Sequence, residues 1–247
     1  MRVAALYDIH ANLPALEAVM QEVRQARVDQ IVVGGDIFPG LMPRETLTYL
    51  LNLDIPVQFI RGNCEEDVLA LMRGGTSTVP ERFLEGFRWV TQQLDPEYEP
   101  LIASWPLTLQ IEIAGVGEVL FCHATPRNVN EIFTQLTAED LLLPVFEAVN
   151  AAVVVCGHTH MQFDRMVGET RVVNAGSVGA PFGEPGAYWL LLDADVQLRR
   201  TDYDLNKAVE RLRATSHPHA QEEAERILHP SSEQEMVELY SKWELRQ

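Results

Sequence analysis

A regular alternation of strand and helix patterns in the first quarter of the chain most constrains its fold. Three short runs of mainly apolar residues are predicted to be buried strands, and each is followed by a segment with helical spacing of its apolar residues. The strand patterns cover residues 2–7, 31–34 and 57–61, and the first two helix patterns cover residues 13–27 and 44–53. This alternation favours a parallel sheet covered by helices, because a helical crossover returns the chain to run in the same direction.

Strand patterns in the second half of the chain indicate mixed or antiparallel pairing. Residues 107–113 alternate between apolar and polar side chains and meet residues 118–122 across a glycine-containing turn, which is typical of a β-hairpin. A helix is predicted from Thr137, as its N-cap, to Asn150, with Pro144 either bending it or marking a later start. The remaining strand patterns cover residues 153–156, 161–167, 170–174, 187–193 and 196–202. This order of elements indicates two sheets packed face to face.

The chain is expected to form one globular domain with a C-terminal helical appendage. Its 247 residues, 47% of them hydrophobic, are sufficient for a large core, which we place in residues 1–204. Residues 205–247 are rich in charge and carry two apolar stripes at helical spacing, one through Val209 and one through Tyr240. Because apolar stripes need burial, we expect this extension to pack on the domain or on a partner subunit, which would make the protein a homo-oligomer.

Net charge and cysteine content exclude several kinds of partner. The net charge of −17 argues against general binding to nucleic acids or to anionic membranes, since both need a cationic surface. The N-terminal residues lack a signal-peptide pattern, and no apolar stretch approaches the roughly 18 residues of a membrane span. The three cysteines cannot all pair with one another and fit a reducing compartment. These features predict a cytoplasmic protein that does not contact membranes.

Seven polar side chains follow predicted strands, at the position where ligands collect in open α/β sheets. They are Asp8, His10, Asp36, Asn63, His123, His158 and His160. The last two leave a single buried strand two residues apart, so their imidazoles point to the same side. Two carboxylates, four imidazoles and one amide form a mixed nitrogen and oxygen donor set, which suits Mn, Fe, Zn, Ni or Co better than calcium. The sequence therefore predicts a transition-metal site.

Five motifs, in their order along the chain, closely resemble those of the calcineurin-like metallophosphoesterases. They are Asp8-x-His10, Gly35-Asp36, Gly62-Asn63-Cys64-Glu65, a single His123, and Gly157-His158-x-His160. The resemblance extends over the chain up to its C-terminal extension, and it is strongest to small bacterial and archaeal phosphodiesterases whose third motif carries cysteine. It implies a four-layer αββα sandwich of two mixed β-sheets flanked by helices.

The resemblance also implies a dinuclear metal site with a role for each motif residue. One ion would be held by Asp8, His10 and His160 and the other by Asn63, His123 and His158, with Asp36 bridging them. The implied cofactors are two divalent transition metal ions, with Mn expected and Fe, Zn, Ni or Co as alternatives. A hydroxide bridging the two ions would attack phosphorus in line, which makes Asp36, Asn63 and His123 the candidate catalytic residues. Two divalent ions also explain how so acidic a protein attracts a phosphate ester.

Three further residues are candidates for contact with the substrate. Asn12 is expected either to orient a ligand or the substrate, or to cap a helix. Cys64 stands where many relatives have a histidine thought to assist the leaving group, and the alternative is that it fills a small buried space. Arg127 is expected either to bind a phosphate through its two-pronged guanidinium or to lie on the surface without a special role. Near the site, Asn174 and Ser177 either support the metal ligands or form a simple turn.

The sequence thus predicts a metal-dependent phosphoesterase whose substrate is a small phosphate ester. A neutral thiol at Cys64 is a weak proton donor, which favours phosphodiesters over esters with a poor leaving group. The alternatives on the same site are a phosphomonoesterase and a dinucleoside polyphosphate hydrolase. Two non-enzymatic alternatives are a scaffold with this fold and a nucleotide sensor that binds phosphates without turnover.

Overall fold

The computed structural model describes residues 1–245. Arg246 and Gln247, the last two residues of the predicted C-terminal extension, lie outside the described residues. The strands are β1 (Val3–Leu6), β2 (Gln30–Val33), β3 (Val57–Phe59), β4 (Thr108–Ile113), β5 (Gly117–Cys122), β6 (Val153–Cys156), β7 (Phe163–Val167), β8 (Thr170–Asn174), β9 (Ala187–Leu192) and β10 (Val196–Thr201). The helices are α1 (Leu13–Ala26), α2 (Pro43–Leu51), α3 (Asn63–Met72), α4 (Glu81–Gln93), α5 (Tyr98–Ser104), α6 (Glu139–Phe146), α7 (Leu205–Arg213), α8 (Ala220–Arg226) and α9 (Glu233–Tyr240).

The strands form two five-stranded mixed sheets. The first sheet has the order β10-β9-β1-β2-β3, in which β1, β2 and β3 are parallel and β9 is antiparallel to β1. The second has the order β4-β5-β6-β8-β7, in which β5, β6 and β8 are parallel and the hairpin partner β4 is antiparallel to β5. Because β1, β2 and β3 are parallel, their carboxyl ends lie at one edge of the first sheet.

Alternate residues of the central strands contribute to different layers of the core. Val3, Ala5 and Tyr7 from β1 and its end pack with Val119 and Phe121 from β5 in the apolar layer between the two sheets. The intervening residues of β1 pack on the opposite face of their sheet, against the helices. This division follows from the alternation of side chains along a strand. It confirms the predicted layered sandwich of two mixed sheets flanked by helices.

Cys122 and Cys156 are the last residues of β5 and β6, and both side chains face the outer side of the second sheet. They are buried beside Phe146 of α6 and do not pair with each other. Both cysteines therefore contribute to core packing. Each cysteine directly precedes a motif residue, His123 or Gly157, and the alternation along the strand turns that next residue toward the inner side.

Helix α1 begins at the same edge of the sandwich at which β1 ends. The Asn12 side chain accepts a hydrogen bond from the Ala15 N–H at 3.2 Å, so Asn12 caps the helix. Leu16, Val19 and Val23 lie on the buried face, as their helical spacing predicts. The short loop between β1 and α1 is therefore held at both ends by packed elements.

The predicted N-cap of helix α6 is wrong. The helix begins after Ala138, contains Pro144, and ends before the predicted boundary. The Thr137 hydroxyl instead accepts a hydrogen bond from the Thr134 N–H at 2.8 Å and donates one to the Glu244 carboxylate at 2.6 Å. Thr137 therefore joins this loop to the C-terminal end of the chain, which local helix-capping patterns could not reveal.

The described part of the C-terminal extension contains three helices. Val209 and Leu212 of α7 are buried in the same apolar cluster as α1, as the first stripe predicts. Helix α9 has no fully buried residue, and Trp243 beyond it is 55% exposed. No helix within residues 1–245 is long and apolar enough to cross a membrane.

Candidate metal centre

The seven predicted ligands meet at one edge of the sandwich, where strands of both sheets end. In the first sheet β1 is followed by Asp8 and His10, β2 by Asp36 and β3 by Asn63, and in the second β5 is followed by His123 and β6 by His158 and His160. Possible ligand atoms form two groups, each within 4.8 Å: Asp8, His10 and His160, and Asp36, His123 and His158. The Asn63 Oδ1 atom joins the second group at 3.0 Å from His123 Nε2. The fold thus assembles the whole predicted set.

The backbone at the site is held in an uncommon conformation. Five of the seven residues have a left-handed φ, between 45° and 67°: Asp8, His10, Asp36, His158 and His160. Such a conformation costs energy in non-glycine residues and persists only where the surroundings impose it. Here backbone hydrogen bonds connect the loops after β1 and β2, since the His10 N–H donates to the Asp36 carbonyl at 3.0 Å and the Asp8 N–H to the Gly35 carbonyl at 3.1 Å. The two loops therefore position each other's carboxylate.

The first ligand group converges on the Nε2 atoms of two imidazoles. His10 Nε2 and His160 Nε2 lie 3.0 Å apart, and His160 Nε2 is 3.3 Å from Asp8 Oδ1. On the other side of its ring, His160 Nδ1 lies 2.6 Å from the Ala180 carbonyl oxygen. A carbonyl oxygen only accepts hydrogen bonds, so Nδ1 carries a proton and Nε2 is the ring nitrogen that faces the carboxylate.

The second ligand group repeats this arrangement around His123. His123 Nδ1 lies 3.0 Å from the Gly34 carbonyl oxygen, which again leaves Nε2 facing inward. His123 Nε2 is 3.4 Å from Asp36 Oδ1, and the His158 ring lies edge-on to the His123 ring, with 5.1 Å between their centroids. Since His123 Nε2 is also 3.9 Å from Asp8 Oδ1, the two groups adjoin each other.

An unpaired carboxylate oxygen shows that the donor set fits a cation. Asp8 is fully buried, and its Oδ2 atom accepts a hydrogen bond from the His158 N–H at 2.8 Å. Its Oδ1 atom is buried without a hydrogen-bond partner among residues 1–245. An unpaired buried carboxylate oxygen is costly, but a cation beside the facing Nε2 atoms would satisfy it. The nitrogen and oxygen donors present fit divalent transition metal ions.

The protonation states of the free site follow from burial and from the close approach of its carboxylates and imidazoles. Burial favours the neutral forms of Asp8 and Asp36, but the imidazoles of His160 and His123 respectively outweigh it and hold the pKa of both carboxyls below the usual range. Burial and neighbouring imidazoles lower the pKa of His10 and of His158 to about 4. His10 and His158 are therefore neutral near pH 7, while both carboxylates are charged. Against the effect of burial, Asp36 raises the pKa of His123 to about 10 and Asp8 raises that of His160, so a bound cation would displace a proton from each of these two rings.

Comparison with known proteins identifies the family. The model of the calcineurin-like phosphoesterase superfamily domain matches residues 1–197. The chain belongs to this superfamily. It is 25% identical over 208 residues to phosphodiesterase YfcE of Escherichia coli K12, covering 79% of this chain and 89% of YfcE. The motif resemblance is confirmed, and with it the prediction of a metal-dependent phosphoesterase.

Solved structures of similar proteins agree with this fold. A metallophosphoesterase from Sphaerobacter thermophilus superposes with a TM-score of 0.71 and 25% identity, covering 92% of this chain and 99% of that protein. The hypothetical protein PH1004 of Pyrococcus horikoshii superposes with a TM-score of 0.79 and 21% identity, covering 94% of this chain and 99% of that protein. The second likeness extends the shared fold over nearly the whole chain.

The glycines of the phosphoesterase motifs leave room for the ligands beside them. A Cβ atom on Gly35 would lie 2.7 Å from His123 Nδ1, and Gly35 has a φ of 91°. A Cβ atom on Gly62 would collide with the Asp36 carboxylate, and one on Gly157 would collide with the Asp8 carboxylate. The motifs therefore contain glycine because the backbone passes directly against the ligand side chains.

Glu65 supports this phosphoesterase site in a way that the sequence interpretation missed. It is fully buried, and its carboxylate accepts hydrogen bonds from the N–H groups of Asp36 at 2.7 Å, Ile37 at 2.8 Å and Gly62 at 2.8 Å. Burial, and then the charge of Asp36, raise the pKa of Glu65 to about 7. One signal was available, because a glutamate at the third helical position commonly bonds back to the N-cap N–H.

The three predicted substrate-contact residues have different surroundings. Besides capping α1, Asn12 donates through Nδ2 to the Gly179 carbonyl at 2.9 Å. Cys64 is 7% exposed beside Asn63, and burial raises the pKa of its thiol well above the usual range. The Arg127 guanidinium bonds to the buried Glu131 carboxylate through both Nε and Nη2. Asn12 and Arg127 thus have partners within the protein, whereas Cys64 adjoins the ligand groups directly.

Asn174, the last residue of β8, and Ser177 in the loop that follows hold the ligand loops in place. Asn174 Nδ2 donates to the Gly157 carbonyl at 2.7 Å and to Thr159 Oγ1 at 3.1 Å. The Ser177 hydroxyl donates to the Asp8 carbonyl at 2.7 Å. These bonds attach to the backbone of both the first and the last motif, so this loop is more than a simple turn.

Proposed function

We propose that this phosphoesterase hydrolyses small phosphodiesters at a dinuclear metal centre. The observation that carries the proposal is the pair of adjoining ligand groups. In each group one buried carboxylate, Asp8 or Asp36, lies beside two imidazoles. One group alone would suffice for a single ion, whereas two groups sharing one edge suit a pair. The net charge of the chain, −17, agrees with a substrate recruited by bound cations and not by a basic surface.

In this proposal each ion has its own protein ligands. The first ion is held by Asp8, His10 and His160, the second by Asn63, His123 and His158, and Asp36 is shared between them. Two divalent ions, with Mn expected, would supply a water-derived nucleophile and neutralise charge on the phosphoryl group. The Cys64 N–H donates to Asp36 Oδ1 at 3.0 Å and keeps the shared carboxylate in place. Asn63 and His123 would also be near the phosphoryl group.

The preference for diesters rests on Cys64. A buried thiol whose pKa is raised stays neutral and donates only weak hydrogen bonds. It therefore gives little help to a poor alkoxide leaving group, so an ester with a better leaving group is the favoured substrate. The similarity to a protein named phosphodiesterase YfcE agrees with this choice.

The test is hydrolysis of bis-p-nitrophenyl phosphate by purified protein reconstituted with Mn, Fe, Zn, Ni or Co. We expect turnover that chelation removes, and a higher kcat/KM than with p-nitrophenyl phosphate. Asp36→Asn should lower kcat by at least about a hundredfold, because it removes the charge of the one carboxylate that the two ions share. The control is Asp54→Asn, since the Asp54 side chain is 80% exposed and pairs with Arg24 at 3.8 Å.

Four results would contradict the proposal. Wild-type protein that stays inert with every metal would exclude catalysis on these esters, and tight binding of a nucleotide without product would favour a sensor. A higher kcat/KM for the monoester would contradict the diester preference. Full activity with one bound ion per chain, measured by elemental analysis, would contradict the dinuclear centre.

A further inference from the structure

A segment of the C-terminal extension is attached to two loops that support the metal centre. We name residues 231–245 the C-terminal strap. At its start, the Gly183 N–H donates to the Ser231 carbonyl at 2.8 Å. At its end, the Leu245 N–H donates to the Ile132 carbonyl at 2.8 Å. The first attachment is on the loop that follows β8, and the second is on the loop that follows β5.

Both of these loops belong to the site. The loop after β8 provides the Ala180 carbonyl that bonds to His160 Nδ1, and the loop after β5 begins at His123. The bond between Thr137 and Glu244, at 2.6 Å, adds a second attachment at the far end of the strap. The strap therefore connects a loop that bonds to the first ligand group with the loop that begins at His123 of the second.

A short series of aromatic contacts leads from a metal-ligand candidate to the strap. The Phe182 ring stacks on the His160 ring, with centroids 5.3 Å apart and an interplanar angle of 20°. The Tyr240 ring lies across Phe182 at 6.3 Å and 64°. Tyr240 is partly buried, and its hydroxyl forms no hydrogen bond within the described residues 1–245, where this oxygen stays accessible to solvent. Burial and then the charge of Asp8 raise the pKa of Tyr240, so this hydroxyl stays protonated.

We propose that the Tyr240 hydroxyl donates a hydrogen bond to a phosphoryl oxygen of the bound ester, with the strap as one wall of the substrate pocket. A tyrosine hydroxyl that lacks a protein partner, on a wall beside the site, is suited to bond a group brought by the substrate. Tyr240 is then a substrate-binding residue that lies outside all five motifs. This inference rests on the proposed function, because it assumes that phosphate binds at the metal centre.

Binding of inorganic phosphate to the Mn-loaded, full-length protein tests the inference without turnover. Isothermal titration calorimetry should show that Tyr240→Phe weakens phosphate binding by about tenfold to a hundredfold, as expected for one hydrogen bond to a charged acceptor. Mn content and melting temperature should stay at wild-type values. Tyr49→Phe is the matched control, since Tyr49 is a partly buried tyrosine on α2 that lies near Arg24 and Asn52. Its phosphate affinity should equal that of the wild type.

The outcomes separate this inference from the proposed function. If the wild type binds phosphate but hydrolyses no ester, and Tyr240→Phe binds phosphate more weakly, the proposed function fails and the contact stands. If phosphate affinity in Tyr240→Phe is within about twofold of wild type, the contact is overturned. Loss of Mn from Tyr240→Phe would also overturn it, because Tyr240 would then act through His160.

Discussion

Charged residues are buried at the metal centre but exposed on the helices α7 and α8. At the metal centre, Asp8, Asp36 and Glu65 are buried and receive hydrogen bonds from backbone N–H groups. On the two helices, Arg213 and Glu225 form an ion pair at 2.9 Å with side chains 37% and 50% exposed. The first set lacks contact with water and depends on its partners, whereas the second remains hydrated.

The difference indicates that the metal centre, and not the surface of the two helices, lowers the stability of the metal-free protein. A buried carboxylate without a partner is costly, and Asp8 Oδ1 lacks one among the described residues. The left-handed backbone at five of the seven ligand candidates adds strain to the same edge. An ion that binds only the folded site would offset part of this cost and stabilise the protein. The exposed pairs of α7 and α8 have no such dependence, because salt and water screen them.

Replacing His158 and His160, separately and together, tests this contrast where the expected effect is largest. The two residues are neighbours in sequence but belong to different ligand groups. Each alanine variant should therefore lose one of two Mn ions, and the double variant should lose both. The affinity lost should exceed the tenfold to hundredfold typical of residues that only orient a ligand. Elemental analysis after desalting measures the metal content per chain.

The control for these variants is His229→Ala, because His229 is exposed on the C-terminal extension. It should retain wild-type metal content. A double variant that still binds one ion per chain would contradict the assignment, since both histidines would then serve the same ion. The contrast between the two regions would also weaken if His229→Ala lost metal.

Glu65→Gln tests how much the hydrogen bonds between Glu65 and the backbone of the site stabilise the fold. The Glu65 carboxylate accepts three N–H groups at 2.7 to 2.8 Å, and a glutamine would turn an NH₂ group toward at least one of these donors. We expect the free energy of unfolding to fall by about 2–4 kcal/mol, because buried donors lose their acceptor. Urea denaturation of the metal-free protein measures it.

Glu66→Gln is the matched control, since Glu66 is the next residue along α3 and its side chain is 47% exposed beside Arg61. We expect a change of less than about 1 kcal/mol, as for other surface ion pairs. Equal changes in the free energy of unfolding for the two substitutions would show that the burial of Glu65 does not make it more important for stability than Glu66. The contrast between the two regions would then not hold.

Much of this architecture could be predicted because local patterns and global fold agree. The strand and helix alternation up to β3 follows from the spacing of apolar residues such as Leu16 and Val19. The convergence of Asp8 and Asp36 follows from one rule, since parallel strands end at the same edge of a sheet. These inferences need no knowledge of which distant residues touch.

The features that could not be predicted depend on contacts between distant segments. Thr137 does not cap α6, because its hydroxyl bonds to Glu244, 107 residues away. The sequence places Tyr240 only in an apolar stripe, whereas its position beside Phe182 follows from the path of the strap. Arg127 is directed to Glu131 by burial of that carboxylate, which the spacing of the two residues alone does not show.

Arg213→Ala addresses the other side of the comparison, where the expected effect is smallest. Its partner Glu225 remains half exposed, so removing the guanidinium leaves a carboxylate that water solvates. We expect the free energy of unfolding to change by less than about 1 kcal/mol. Leu212→Ala, one position earlier on α7, should cost about 2–5 kcal/mol, because Leu212 is 1% exposed within the apolar cluster. Urea denaturation measures both variants. If Arg213→Ala lowers the free energy of unfolding as much as Leu212→Ala does, the ion pair between α7 and α8 stabilises the fold substantially despite its exposure, and the distinction between the two regions fails.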